Sequence, residues 1–308
     1  MAMKLHDYRW PEKIISLLAG PFIFFLAGMA CIADYGEEQM IISSGKQQYL
    51  LSQPDEEYKL PGRLEEISGL DYLGEGILLC VEDEEGVLYF YSTREKDVTR
   101  EIKFAESGDY EGVTHADNQA YVIRSDGKLY SFPLNQDDDL DAEKIETPFT
   151  AANDVEGLVM GFRNDELLIA CKENPEVEDN KVEGRAVYAF NLVKNELDID
   201  PAIRLTSEAF REALKKLDLK PVHFMPFKPS GIAIHPLSKD VFILGSVGKL
   251  LIVLNKSGKI IDAAPLSRKI FTQPEGICFD ESGRLFISSE GAGKDGYILA
   301  YDPEIKRN

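Results

Sequence analysis

A glycine followed by a short apolar run recurs along this chain at a nearly fixed interval, and that recurrence restricts the fold more than any other feature. The copies are "EISGLDYL" with Gly69, "DYEGVTHA" with Gly112, "DVEGLVMG" with Gly157, "KPSGIAIH" with Gly231 and "QPEGICFD" with Gly276. Their separations are 43, 45, 74 and 45 residues. A period near 45 suits one four-stranded propeller blade. The long interval contains "SEAFREALKKLDL" (207–219), in which Phe210, Leu214 and Leu217 fall at helical spacing after a start at Ser207 and Glu208. It therefore reads as one blade plus an inserted helix.

Each repeat has the same internal order. A strand follows the glycine, and a second, almost wholly apolar strand comes next ("GILLCV", "AYVIR", "LLIAC", "VFILG", "LFISS"). A polar turn leads to a third strand ("VLYFYS", "LYSFPL", "AVYAFNL", "LLIVLN", "YILAYD"). A more polar fourth completes the unit, as in "TREIKF". This gradient fits inner strands covered on both faces and an outermost strand that meets water. The last repeat has no fourth strand, while "QYLLSQPDEEYKL" (48–60) precedes the first repeat without a partner. An N-terminal strand completing the last blade resolves both. The expectation is an all-β, five-bladed β-propeller of four-stranded blades with an inserted helix; six blades is the alternative, if the insertion forms one more.

The first 31 residues differ from the rest. Lys4, Arg9 and Lys13 precede "IISLLAGPFIFFLAGMA", 17 residues without a charge, which ends at Cys31. A basic segment, an apolar segment and small residues form an export signal. The residues "GMAC" resemble a bacterial lipobox, with Cys31 as the lipidated residue, although Gly28 stands where Leu is usual. An uncleaved anchor helix and simple secretion are the alternatives. The chain thus divides into a signal or anchor (1–31), a linker (32–46) and the propeller domain (47–308). All three readings put the domain outside the cytoplasm, in the cell envelope, and the first two attach it to a membrane, on the periplasmic or the surface side. Cys80, Cys171 and Cys278 each lie in an apolar strand and read as buried, free thiols.

A formal net charge of −20 argues against nucleic acid as a partner. It leaves solubility, cation binding or a basic partner. In a propeller, the residue before each glycine and the end of each second strand meet around the channel mouth. The first set is Ser68, Glu111, Glu156, Ser230 and Glu275; the second is Glu82 and Asp83, Ser125 and Asp126, Lys172 and Glu173, Ser246, and Glu290. The glycines serve the backbone, which turns tightly near the axis. Crowded carboxylates need a compensating charge. Lys172 and Arg124 are local candidates. A bound Ca2+ is the other, since it takes six to eight oxygen ligands in loose geometry. Its candidate ligands are Glu111, Glu156, Glu275, Glu290, Ser68 and Glu82. Arg124, Lys172 and Glu173 are candidates for contacting a ligand.

The ordered set "LEEISGLDY", "DYEGVTHADNQAYVIRSDGKLY", "DVEGLVM…LLIACKE", "PSGIAIHP" and "QPEGICFDESGRLFISSEG" resembles the SdiA-regulated (YjiK-like) family over about residues 48–302. The resemblance implies a five-bladed propeller distantly related to NHL-repeat proteins, exported or membrane-attached, with a calcium site. It implies no activity. Two functions follow as expectations. One is a calcium-binding module for an unknown small ligand or protein at the channel mouth. The other is a calcium-dependent hydrolase of lactonase, esterase or phytase type. No catalytic residue stands out. His115 and His235 lie down their first strands, away from the mouth, and His223 lies in the loop "KPVHFMPFKPSG". The chain has no GxSxG elbow, HExxH or P-loop.

Overall fold

The computed structural model describes residues 40–136, 142–219 and 227–305. The export segment with Cys31 and the loop residue His223 lie outside them. The chain opens with β1 (Ile41–Ser44), β2 (Gln47–Leu50) and β3 (Glu56–Lys59). Four antiparallel strands follow, β4 (Ile67–Gly74), β5 (Ile77–Glu82), β6 (Val87–Ser92) and β7 (Asp97–Lys103). The next sheet is β8 (Tyr110–Ala116), β9 (Gln119–Arg124), β10 (Leu129–Pro133) and β11 (Glu143–Ile145). The third is β12 (Val155–Met160), β13 (Glu166–Cys171) and β14 (Arg185–Asn191), whose outer edge is shared by β15 (Glu196–Leu197) and β16 (Ile203–Leu205). After α1 (Ser207–Lys216) come β17 (Lys228–Ile234), β18 (Val241–Val247), β19 (Leu250–Leu254) and β20 (Ile260–Pro265). The last is β21 (Gln273–Phe279), β22 (Leu285–Glu290) and β23 (Tyr297–Tyr301), before the short β24 (Glu304–Ile305).

Among the described residues the architecture is an all-β propeller with one α-helix, and it holds six sheets rather than five. The sixth is not made by the insertion. It is a three-stranded sheet, β1-β2-β24, drawn from the two ends of the described chain. The other five each place their first strand on the axis, and these strands touch in the closed cycle β4, β8, β12, β17, β21 and back to β4. The segment expected to close the ring is divided. Its second half, β3, pairs with β23 (Lys59 opposite Tyr297, Glu56 opposite Ala300) and completes the last sheet. Its first half, β2, joins β1, which falls within the stretch expected to be linker.

Packing explains where the sixth sheet goes. Five apolar clusters fill the five wedges between neighbouring sheets of the ring. The wedge between the fourth and fifth sheets also takes Ile42, Tyr49 and Leu51, all fully buried, from the N-terminal hairpin. The wedge between the third and fourth takes Phe210 and Leu214 of α1. The helix is capped by Thr206, one residue before the expected start, whose hydroxyl accepts from Ala209 N. Both additions flank β20, the outermost strand of the fourth sheet, and shield an edge that would otherwise be exposed. Cys80, Cys171 and Cys278 are free and buried.

The five repeated glycines hold the ring at its narrowest. A Cβ on Gly112 would lie 2.8 Å from Leu158 Cβ and 3.0 Å from the Glu156 carbonyl, both on the next strand. One on Gly231 would lie 2.5 Å from the Glu275 carbonyl. Gly69, Gly157 and Gly276 meet the next strand in the same way, the last against Leu70, where the cycle closes. Gly231→Ala must therefore push two backbones apart. It should cost about 1–3 kcal/mol, read as a lowered midpoint in urea unfolding; an unchanged midpoint would remove the glycines from ring closure.

His235 is a packing residue. Its Nδ1 accepts from Leu237 N and Ser238 N, and its Nε2 meets the Tyr49 hydroxyl at 2.9 Å. That hydroxyl donates to the Gly283 carbonyl, and the ring lies among Tyr49, Phe242 and Phe279. Burial pushes the imidazole pKa down to about 4. Folding therefore favours neutral His235, and the stability it contributes above pH 6.5 is lost as pH falls towards 4. Urea midpoints of the wild type should drop across that window more steeply than those of His235→Asn. Parallel pH profiles would exclude the histidine as the source.

Candidate functional site

One backbone device builds the channel mouth. In each ring sheet the first strand carries a β-bulge at the residue before the repeated glycine. The pairing steps from Ile67 to Gly69, Tyr110 to Gly112, Val155 to Gly157, Pro229 to Gly231 and Pro274 to Ile277. The skipped residues are Ser68, Glu111, Glu156 and Ser230, with Glu275 skipped together with Gly276. A bulge leaves its extra residue out of the ladder and re-aims its side chain. All five of these residues line one narrow cavity on the axis, with room for about one water-sized particle.

The two serines and three glutamates play different parts. Ser68 Oγ donates to the Tyr110 carbonyl at 2.6 Å, and Ser230 Oγ donates to the Pro274 carbonyl at 2.9 Å. Each serine thus ties its sheet to the residue just before the next sheet's glutamate. With their protons committed, both hydroxyls keep acceptor lone pairs. Glu156 is 3% exposed. One of its oxygens, Oε1, pairs with the Lys172 ammonium, while Oε2 is buried and has no hydrogen-bond partner. Burial raises the pKa of Glu111, reinforced by Glu156 and Asp109. Burial also raises Glu156, reinforced by Glu275, and raises Glu275, reinforced by Glu290. The three acids feel one another across the opening, as crowded carboxylates must.

Basic groups only partly offset them. For Lys172, burial works to lower the pKa, but Glu156, Asp154 and Glu275 outweigh it and hold the ammonium firmly charged. Lys249 lies near Glu275, where burial pushes it down to about 8 against the pull of that acid. Its ammonium donates to the Thr272 carbonyl at 2.6 Å. Arg124 instead pairs with Asp126 through Nε at 2.9 Å, and Glu173 pairs with Lys228. Neither Arg124 nor Glu173 lines the cavity.

Glu82 and Glu290 stand at the ends of second strands, outside the cavity lining. Glu82 accepts from the backbone N–H groups of Glu84 and Glu85, yet burial still lifts its pKa to about 7. Glu290 accepts from Gln273 Nε2 and is lifted to about 7 by burial, then by Asp83 and Glu66. The structure therefore gathers Glu111, Glu156, Glu275, Ser68 and Ser230 around one cavity, and leaves Glu82 and Glu290 apart. Asp109, Asp154 and Lys249 complete the electrostatics. The repeat alignment does not mark them, because they sit outside the positions it compares.

The histidines lie elsewhere. His115 is four residues beyond Glu111, about 13 Å along the strand. Its Nδ1 is 2.8 Å from Asp71 Oδ2, an oxygen that also accepts from His115 N and Thr114 Oγ1. Burial alone would lower His115, but this carboxylate raises it.

The donor chemistry at the mouth suits a hard cation: three carboxylates, two hydroxyl acceptors and one orphaned buried oxygen. The arrangement is nonetheless open. Among the described residues no three His, Cys, Asp or Glu side chains are grouped closely enough to hold a metal ion by themselves. Lys172 already takes one oxygen of Glu156.

The fold and mouth define a β-propeller with a closed inner ring and an acidic opening. The SdiA-regulated family profile matches residues 44–292, and the chain belongs to that family. No curated protein matches the sequence. Among solved structures, the glutaminyl cyclase of Myxococcus xanthus superposes with a TM-score of 0.52 at 10% identity, covering 83% of this chain and 97% of that one. A luciferin-regenerating enzyme superposes with a TM-score of 0.50 at 11% identity, covering 81% and 95%. At such identities the likeness is one of fold alone.

Proposed function

We propose that this protein is an exported, membrane-attached binding propeller whose channel mouth takes Ca2+ and presents it, with the surrounding acidic rim, to a small ligand or partner protein. The observation that carries the reading is the trio Glu111, Glu156 and Glu275, buried at one opening, with Glu156 Oε2 left without a partner. Burying carboxylates costs several kcal/mol each unless charge and hydrogen bonds compensate, and Lys172 compensates for one. Glu111, Glu156 and Glu275 would hold the ion, assisted by the Ser68 and Ser230 hydroxyls. Bound there, Ca2+ would offset most of the charge of the trio and join three ring sheets through one centre. Export and attachment rest on residues 1–31, which lie outside the described structure. Among the described residues no helix is long and apolar enough to cross a membrane.

The binding reading is favoured over the hydrolase one by the bases available among the described residues. Neither His115 nor His235 reaches the mouth, since each is committed to neighbours elsewhere.

Metal analysis and thermal melts of the purified protein test the proposal. Calcium should co-purify or bind, raise the melting temperature and be stripped by EDTA. Glu156→Gln should weaken that binding by about tenfold or more, because affinity follows the charge on the ligands. No metal and no shift in either direction would end the calcium reading. Calcium-loaded protein should turn over no lactone, ester or phosphate-ester substrate; turnover that disappears in Glu156→Gln would replace the binding module with a hydrolase.

A further inference from the structure

The five second-strand ends occupy equivalent places around the mouth. The residue following the last rung opposite each bulge is Asp83, Ser125, Lys172, Ser246 and Glu290 in turn. Four are oxygen-bearing side chains and one is an ammonium. Lys172 forms an ion pair with a bulge glutamate: its ammonium meets Glu156 Oε1 while the side chain remains 25% exposed. A second acceptor stands beside it. Asp154 Oδ2 is 4.0 Å from the same ammonium and is 30% exposed. The two residues are tied at the backbone, where Lys172 N donates to the Asp154 carbonyl at 2.8 Å.

We propose that Lys172 is a built-in competitor for the cation: its ammonium occupies Glu156 when the mouth is empty of metal and moves outward onto Asp154 when an ion enters. The inference rests on the calcium reading above and adds the element that regulates it. A lysine suits the task because its charge is a compact point on a flexible four-carbon stem. Glu156 cannot serve the ammonium and a divalent ion together at full strength, since the two cations repel at close range. Asp154 lies nearer the solvent, so the displaced ammonium keeps a counter-charge there and is also partly hydrated. The unpartnered Oε2 is the remaining half of Glu156, through which an ion can engage before Lys172 leaves. The consequence is a mouth that stays electrostatically tolerable without metal and binds calcium more weakly than its three carboxylates alone would.

Calorimetric Ca2+ titration and melts of the full chain, comparing wild type, Lys172→Met and Asp154→Asn, test this. Lys172→Met should bind Ca2+ about tenfold more tightly, as expected when one opposing charge leaves the ligand shell. Its metal-free melting temperature should fall, and its calcium-induced rise should exceed that of wild type. Asp154→Asn should bind Ca2+ more weakly than wild type, since it removes the refuge of the displaced ammonium. Asp154 has a positive φ of 49°, which Asn also adopts readily, so this variant should fold. Equal affinities in wild type and Lys172→Met would overturn the role of Lys172 and leave calcium binding standing. If neither binds Ca2+, the calcium reading fails and the competitor with it.

Discussion

Everything at the mouth depends on how closely five backbones approach one another around the axis. A strand with an ordinary side chain at the contact point keeps its neighbour at a distance, and five such strands would enclose a wider channel. Glycine at 69, 112, 157, 231 and 276 removes that spacer, and each strand then packs directly against the next. The contact is cyclic, so no member can relax without disturbing two others. The bulge next to each glycine follows from the same crowding. In a regular ladder the preceding residue would stand on one face of its own sheet, whereas the extra residue in the ladder frees it to face the opening. Glycine and bulge together convert a repeated dipeptide into a ring of side chains.

What occupies that ring is a problem of charge. Serine at two positions is inexpensive: its hydroxyl finds a carbonyl on the adjoining strand and cross-ties the ring. Glutamate at the other three is costly, since burial and mutual repulsion both favour the protonated acid. Ser68 and Ser230 show that a bulge in this ring can close without an acid. The three acids are therefore the part of the mouth that ring geometry does not require, which is why the functional argument rests on them and not on the glycines.

Much of this is legible in the linear sequence because repetition is legible. Five glycines at regular spacing, each followed by strands that grow more polar, expose the ring strands, their order and the residues that face the axis. The sixth sheet is invisible to that method. Residues 41–50 resemble no repeat, and their role comes from long-range packing: Ile42, Tyr49 and Leu51 fill a wedge between sheets formed some 200 residues later. The single continuous closing strand expected over 48–60 also fails for a physical reason, since "SQPDE" turns the chain and splits it between two sheets. The pairing of Lys172 with Glu156 is less legible still. The sequence puts both near the mouth, but Arg124 has the same apparent claim, and only the fold shows Arg124 turned aside by Asp126.

The same asymmetry says where the ring is braced. The helix and the N-terminal hairpin both pack beside the fourth sheet, in the wedges that flank it on either side. The fourth sheet is one of the two whose bulge residue is a serine, and Ser230 ties it to the fifth. The other serine, Ser68, ties the first sheet to the second in the same way. Sheets two, three and five instead contribute glutamate, and at those three positions no serine hydroxyl cross-ties the ring. Each serine tie ends on the carbonyl just before a glutamate, at Tyr110 and at Pro274, so sheets two and five are held through their backbones beside their acids. Sheet three neither gives nor receives such a tie at its bulge and is joined to sheet two instead through Thr114, whose hydroxyl oxygen accepts from Met160 N.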